Sequence, residues 1–345
     1  MQTWSSLNQG QQQELLSRPA MADNDALSNT VADIIQQVAK KGDEALRQLT
    51  ARFDGVELGE LALATGQLAC AVNEISNEVK AAIDTAYANI HAFHRAQKPS
   101  DVKVETAPGV VCELKHAPLD SVGLYIPGGS APLISTVLML GVTAQVAGCP
   151  RKVLCTPPNK QGNVPAEIRY AASLCEVYLV GGAQAIAALA LGTDTIVKVD
   201  KIFGPGNSFV TEAKQQVSRI PAGPAIDMPA GPSEVLVIAD GKANPVFVAS
   251  DLLSQAEHGA DSQAILVSDS QALIQATEQE VERQLMTLSR QDTARKAMSH
   301  SRYILTESLD SAIEVSNQYA PEHLIIQVEE ARACLPKLRN AGSIF

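Results

Sequence analysis

SVGLYIPGGSAPLISTVLMLGVTAQVAGCPRKVLCTP (Ser121–Pro157) decides the fold of this chain. SVGLYIP is an apolar run of strand length, a Gly-rich turn follows, and a helix-length segment spans Leu133–Ala147 before KVLCTP, a second β-rich run. Two short strands joined through a helix make a parallel βαβ unit, because the chain must return to its starting edge before pairing again. The rhythm continues downstream with a helix near Ala166–Leu174, the strand EVYLVGG, the helix AQAIAALAL, and VDKIFGPG leading into NSFVTEAKQQV. Ser218–Pro232, rich in Pro and Gly, reads as a crossing between domains. Beyond it come SEVLVIAD, helix Pro245–Glu257, AILVSD, helix Gln271–Thr287, RYILTE, helix Ser308–Gln318, HLIIQV and helix Glu329–Leu338.

Upstream, Val31–Phe53 repeats apolar residues at spacings of three and four, with Gly42 dividing the run into two helices. Glu74–Gln97 is a further helical run, and Gln97–Gly109 reads as a Pro-containing polar loop. The pattern specifies an α/β protein of two Rossmann-like βαβ domains with parallel-rich sheets, the second inserted in the first, after a helical N-terminal segment. The expected division is an N-terminal segment (1–24), a discontinuous domain from 25–124 and 234–345, and an inserted domain over 125–233. AGSIF (Ala341–Phe345) reads as a turn entering a new strand. A strand entrance leaves backbone groups to be paired, so the first domain is expected to continue beyond residue 345, with its C-terminal part missing here.

Composition excludes several classes. With 345 residues, 27 Lys+Arg against 38 Asp+Glu and a net charge of −11, the chain lacks the basic excess of a nucleic-acid surface. A hydrophobic content of 46% excludes disorder. No run approaches the ~18 consecutive apolar residues of a membrane span, and the N-terminus has no basic start followed by an apolar stretch. Cys70, Cys112, Cys149, Cys155, Cys175 and Cys334 are scattered without a CxxC pair, which reads as buried free thiols of a cytoplasmic protein.

Three Gly-rich turns stand where a strand hands over to a helix: YIPGGSAP (Tyr125–Pro132), VGGAQA (Val180–Ala185) and FGPGNSF (Phe203–Phe209). None matches G-x-G-x-x-G, and each alone reads as turn chemistry; three at one sheet edge point to a nucleotide or substrate crevice. In DLLSQAEHGADSQ, Gln255 and His258 lie three apart on one helical face, with Gly259 as the C-cap. The spacing admits a histidine at a helix C-terminus or a pair of metal ligands needing others from elsewhere. YAPEHLIIQ places Glu322 and His323 after a proline and before an apolar strand. That is either a polar turn or a carboxylate–imidazole pair able to move protons near neutral pH. Asp227 and Ser233 stand in a rigid Pro/Gly context that reads as a site lining or as a hinge.

Taken in order, SVGLYIPGGSAPLISTVLML, VGGAQAIAALA, VDKIFGPGNSFVTEAK, IDMPAGPSEVLVIAD, DLLSQAEHG and NQYAPEHLII resemble the histidinol dehydrogenase family over nearly the whole chain. The resemblance implies oxidation of L-histidinol to L-histidine through L-histidinaldehyde, in two NAD-dependent steps with one Zn²⁺. It also implies NAD contacts at Tyr125, Gln184 and Asn207, and zinc ligands at Gln255 and His258. Substrate contacts fall at Ser233, Gln255, His258 and His323, and the catalytic pair is Glu322 and His323. Further zinc ligands, an aspartate and a histidine, are implied beyond residue 345, the histidine coming from the second subunit of a homodimer. The alternative is an inactive truncated fragment that at most binds NAD or a partner chain. A dehydrogenase of a small polar alcohol working without metal is a third reading.

Overall fold

The computed structural model describes residues 1–18, 25–128, 132–228 and 233–345. The central part of the YIPGGSAP turn and the end of the Ser218–Pro232 crossing lie outside the described residues. The chain opens with β1 (Gln2–Thr3) and α1 (Gln9–Leu15), the latter capped by the Asn8 side chain. α2 (Asp25–Lys41) and α3 (Asp43–Asp54) follow, separated at Gly42, then α4 (Thr65–Cys70) and α5 (Asn77–Gln97). β2 (Val102–Ala107) and β3 (Val110–Leu114) form an antiparallel hairpin with every residue exposed. The polar loop expected over Gln97–Gly109 therefore contains a six-residue strand. Neither face of β2 is buried, so its pairing rests on cross-strand contacts that its own pattern does not announce.

β4 (Ser121–Tyr125), α6 (Ile134–Ala147), β5 (Arg151–Cys155), α7 (Ala166–Ala171) and β6 (Glu176–Tyr178) come next. α8 (Gly182–Leu191), β7 (Lys201–Phe203), α9 (Ser208–Ser218) and β8 (Ala225–Ile226) complete a parallel sheet in the order β6-β5-β4-β7-β8. Side chains alternate across it. Tyr125, Val153 and Ile202 pack with α2, α3, α8 and α9, whereas Val122, Leu124 and Leu154 pack with α6 and α7. α8 is apolar and buried around its whole circumference, and its many alanines suit close packing.

β9 (Glu234–Ala239), α10 (Pro245–Ala256), β10 (Gln263–Ser268), α11 (Gln271–Leu285), α12 (Gln291–Ser299) and β11 (Arg302–Leu305) follow. α13 (Leu309–Tyr319), β12 (His323–Gln327), α14 (Ala331–Cys334) and β13 (Ser343–Ile344) end the chain. The second sheet runs β1-β11-β10-β9-β12-β13 with parallel pairing throughout. β9 and β10 are buried at every residue because α10–α12 cover one face and α1 and α13 the other. The helix expected over Glu329–Leu338 shrinks to α14, with Pro336, which lacks an amide donor, just beyond it.

Two compact units result: Met1–Asp23 with Gly231–Phe345, and Asn24–Ala230. An insertion is present, but its borders differ from the expected ones: residues 25–124 belong with the inserted unit rather than with 234–345. The reason is packing. A border after residue 124 would cut β4, the central strand of the five-stranded sheet, and Val31, Val38 and Leu46 share a core with α8 and α9. The first residues are no separate segment, since β1 pairs with β11 and Leu15 enters the core beside Ile304 and Tyr319.

Four cysteines are buried as expected, but Cys70 and Cys112 are exposed. Burial pushes the Cys155 and Cys175 thiols up to about 12, which makes them inert packing groups. Among the described residues, no helix is long and apolar enough to cross a membrane.

Candidate functional site

In the inserted unit, the three glycine-rich turns follow β4, β6 and β7 at the carboxyl edge of the sheet. Strand order reverses between β4 and β7, the position at which an open parallel sheet leaves a crevice. A cavity of about 510 Å³ lies there, and its lining brings Tyr125, Gln184 and Asn207 together with Phe53, Asp54 and Phe209. The Tyr125 hydroxyl accepts a hydrogen bond from the Gly182 amide at 3.0 Å, and burial pushes its pKa up to about 12. It therefore stays protonated and can donate to a ligand. Asn207 caps α9 by accepting from the Val210 amide at 3.2 Å, which leaves its amide nitrogen as a donor. The N-termini of α8 and α9 both reach this lining, an arrangement favourable to phosphate oxygens. Asp54 is an acidic group that sequence reasoning passed over. Its carboxyl is raised by burial, and Oδ2 has no partner among the described residues.

The FGPGN turn is held by a pair that no motif announced. Lys214, 3% exposed, pairs with Asp227 and donates to the Gly204 carbonyl at 3.0 Å, while Asp227 accepts from the Gly204 amide at 2.9 Å. The segment around Asp227 is thus a brace for this turn. Gly204 has φ +128°, and a Cβ there would stand 2.2 Å from the Tyr125 carbonyl oxygen.

In the other unit, the candidate residues gather at the amino edge of the six-stranded sheet. Ser233 precedes β9, while Glu322 precedes β12 and His323 begins it; His323 is in register with Val235 of β9. The His323 Nδ1 lies 3.2 Å from the Glu234 carbonyl oxygen. A carbonyl only accepts, so Nδ1 carries the proton and a neutral ring keeps its free lone pair on Nε2. The Glu322 carboxylate stands 3.8 Å from Nδ1, so both side chains lie on one side of the chain. Their juxtaposition follows from the turn before them, where Ala320 takes a left-handed conformation (φ +54°) ahead of Pro321. The ring also stacks on Phe345, with centroids 6.2 Å apart.

α10 runs back from the carboxyl end of β9 to the amino end of β10, returning Gln255 and His258 to this same edge. The helix ends at Ala256 with Glu257 as its C-cap, so Gly259 is not the cap. His258 sits in the tightened turn beyond, its amide donating to the Gln255 carbonyl at 3.2 Å. Gln255 is 8% exposed, and its Nε2 has no partner among the described residues. A half-turn of that amide offers the oxygen instead, which suits a cation. Among the described residues no three His, Cys, Asp or Glu stand together, so Gln255 and His258 supply two donors and do not close a zinc shell alone. Among the described residues no hydrogen bond or ion pair links them to His323, and Ser233 enters the edge through its carbonyl, which accepts from the Gln263 amide.

The family model for histidinol dehydrogenase matches residues 17–345. A histidinol dehydrogenase of Colwellia psychrerythraea is 58% identical over 345 residues, covering 99% of this chain and 80% of the relative. That of Escherichia coli is 54% identical, with 99% of this chain and 79% of the relative covered. The crystal structure of histidinol dehydrogenase from Elizabethkingia anophelis superposes with a TM-score of 0.94 at 46% identity, covering 98% of this chain and 78% of that one.

Proposed function

The chain belongs to the histidinol dehydrogenase family, oxidoreductases of histidine biosynthesis, and on that premise we propose how its residues divide the work. The substrate is L-histidinol, oxidised through L-histidinaldehyde to L-histidine. His323 is the base and Glu322 the residue that activates water. The observation that carries this assignment is the Nδ1–Glu234 carbonyl bond, which reserves Nε2 for the substrate.

In the first oxidation, His323 Nε2 takes the hydroxyl proton as hydride departs from the carbinol carbon. Glu322 then draws a proton from water as it adds to the aldehyde, and His323 deprotonates the resulting gem-diol for the second oxidation. Tyr125, Gln184 and Asn207 would hold the cofactor, with Tyr125 and Asn207 as donors and the N-termini of α8 and α9 at the same lining suited to its phosphates. NAD would supply the hydride acceptor, one molecule for each oxidation, the reduced one exchanging for a second NAD⁺ between the two steps. Gln255 and His258 supply two ligands to zinc, with Ser233 beside the substrate. A zinc ion there would supply Lewis-acid binding of the substrate's nitrogens, which would discriminate against alcohols lacking them. The homodimer and the cytoplasmic location belong to the same proposal.

The test is histidinol-dependent NADH formation by the 345-residue chain supplied with Zn²⁺, before and after dialysis against a strong chelator. Turnover is expected to fall to background and to return on adding Zn²⁺. Turnover that survives chelation removes zinc from the reading. Separating the half-reactions checks the carboxylate: Glu322→Gln is expected to slow histidinaldehyde oxidation at least tenfold more than histidinol oxidation, as general-base assistance implies. Equal loss in both would end that division of roles.

A further inference from the structure

The Glu322–His323 pair follows an unusual turn. Ala320 is one of two non-glycine residues with positive φ among the described residues, and such a conformation persists only where its surroundings enforce it. The enforcing contacts come from Arg18, about 300 residues away in sequence. Arg18 Nη2 donates to the Tyr319 and Ala320 carbonyls, each at 3.0 Å, and the guanidinium lies 4.5 Å from the centre of the Tyr319 ring. The same group donates through Nε at 3.1 Å and Nη2 at 2.7 Å to Oε1 of Glu234. That oxygen also accepts the Glu322 amide at 3.3 Å, and the Glu234 carbonyl holds His323 Nδ1. Tyr319 is anchored in turn, its hydroxyl donating to Gln263 at 2.7 Å.

Arg18 and Glu234 thus touch both the Ala320 turn and the Nδ1 bond of the imidazole, from the side opposite the Gly342 and Ser343 amides, which donate to the Pro321 and Glu322 carbonyls at 2.9 Å each. We propose that Arg18, acting with Glu234, is a positioning residue for the Glu322–His323 pair, holding the Ala320 turn so that the imidazole keeps its Nδ1 bond and aims Nε2. The proposal rests on His323 being the base. Arg18 suits the task because its rigid planar fork presents Nε and Nη2 side by side to the carboxylate while Nη2 also faces two carbonyls, a fixed geometry that a point-like ammonium does not offer. A purely structural alternative exists: the guanidinium simply neutralises a carboxylate whose side chain is 10% exposed.

The two are separated by the double variant Arg18→Met/Glu234→Gln, which removes the clamp and the buried charge together while leaving an acceptor for the Glu322 amide. In the clamp account it melts within a few degrees of the wild type. Its kcat for histidinol falls about 10–100-fold, the scale of an ångström-sized misplacement, with both KM values within about threefold. The ¹⁵N signals of the His323 ring should also lose their pure Nδ1–H signature. Arg18→Lys, which keeps the charge without the fork, should show an intermediate loss. A folded double variant with wild-type kcat and an unchanged ring signature overturns the proposal. Should the wild type itself fail to oxidise histidinol, the reading of His323 as base fails separately. The ring signature then decides alone: unchanged without Arg18, it overturns the clamp.

Discussion

Replacing His323 with alanine is expected to lower kcat for histidinol oxidation by about 10²–10⁴, the range for a general base. That corresponds to roughly 3–5 kcal/mol of transition-state stabilisation. The loss should fall on both half-reactions, since the same Nε2 takes a proton in each. NAD affinity, measured by calorimetry, should stay within about twofold, because the proposed cofactor residues Tyr125, Gln184 and Asn207 belong to the other unit. Folding should be little changed: the imidazole is 37% exposed and its Nδ1 bond goes to a main-chain carbonyl. A folded variant retaining more than a third of the wild-type kcat would remove His323 from the chemistry.

The largest stability effect is expected at Gly204. An alanine there combines a disfavoured φ of +128° with a Cβ 2.2 Å from the Tyr125 carbonyl oxygen and 3.0 Å from that residue's nitrogen. The neighbour is backbone of the central strand β4, so it cannot swing aside as a side chain would. A loss on the order of 4 kcal/mol follows, in the range reserved for backbone strain with core disruption, together with loss of NAD binding. Gly55→Ala is the control. Its φ is +70° but nothing lies within 4 Å of the added carbon, so only the conformational penalty of about 1–2 kcal/mol remains. Urea midpoints of the two variants check this, and equal losses would refute the steric account.

What could be read from the chain follows from what periodicity encodes. Alternation and apolar runs reveal which residues are buried, so the βαβ segments of both units and the helical run at Val31–Phe53 were legible. Periodicity does not name the partner. The stripe Val31, Ile34, Val38 is the same whether it covers one sheet or another, and the border drawn after residue 124 erred for that reason. The glycine-rich turns placed a crevice at one sheet edge and the family resemblance named Tyr125, Gln184 and Asn207 there, which line one cavity; Glu322 beside His323 was legible in YAPEH, at a turn–strand junction. The supporting residues carry no such mark. Lys214 looks like any helix lysine, and Arg18 precedes the first long helix without a pattern around it; their roles come from partners far along the chain.

The long separation between Arg18 and its acceptors matters during synthesis. A ribosome adds about 5–20 residues per second, so Arg18 and β1 leave it roughly 15–60 s before Ala320 and β11 exist to receive them. Within that interval the whole of Asn24–Ala230 emerges and has its own sheet to close. The nascent chain therefore carries an unpaired strand and an unpartnered guanidinium while about 300 further residues are made, the period in which chaperones have access to them. The proposed base acquires its aim only after the Ala320 turn and β12 have been delivered.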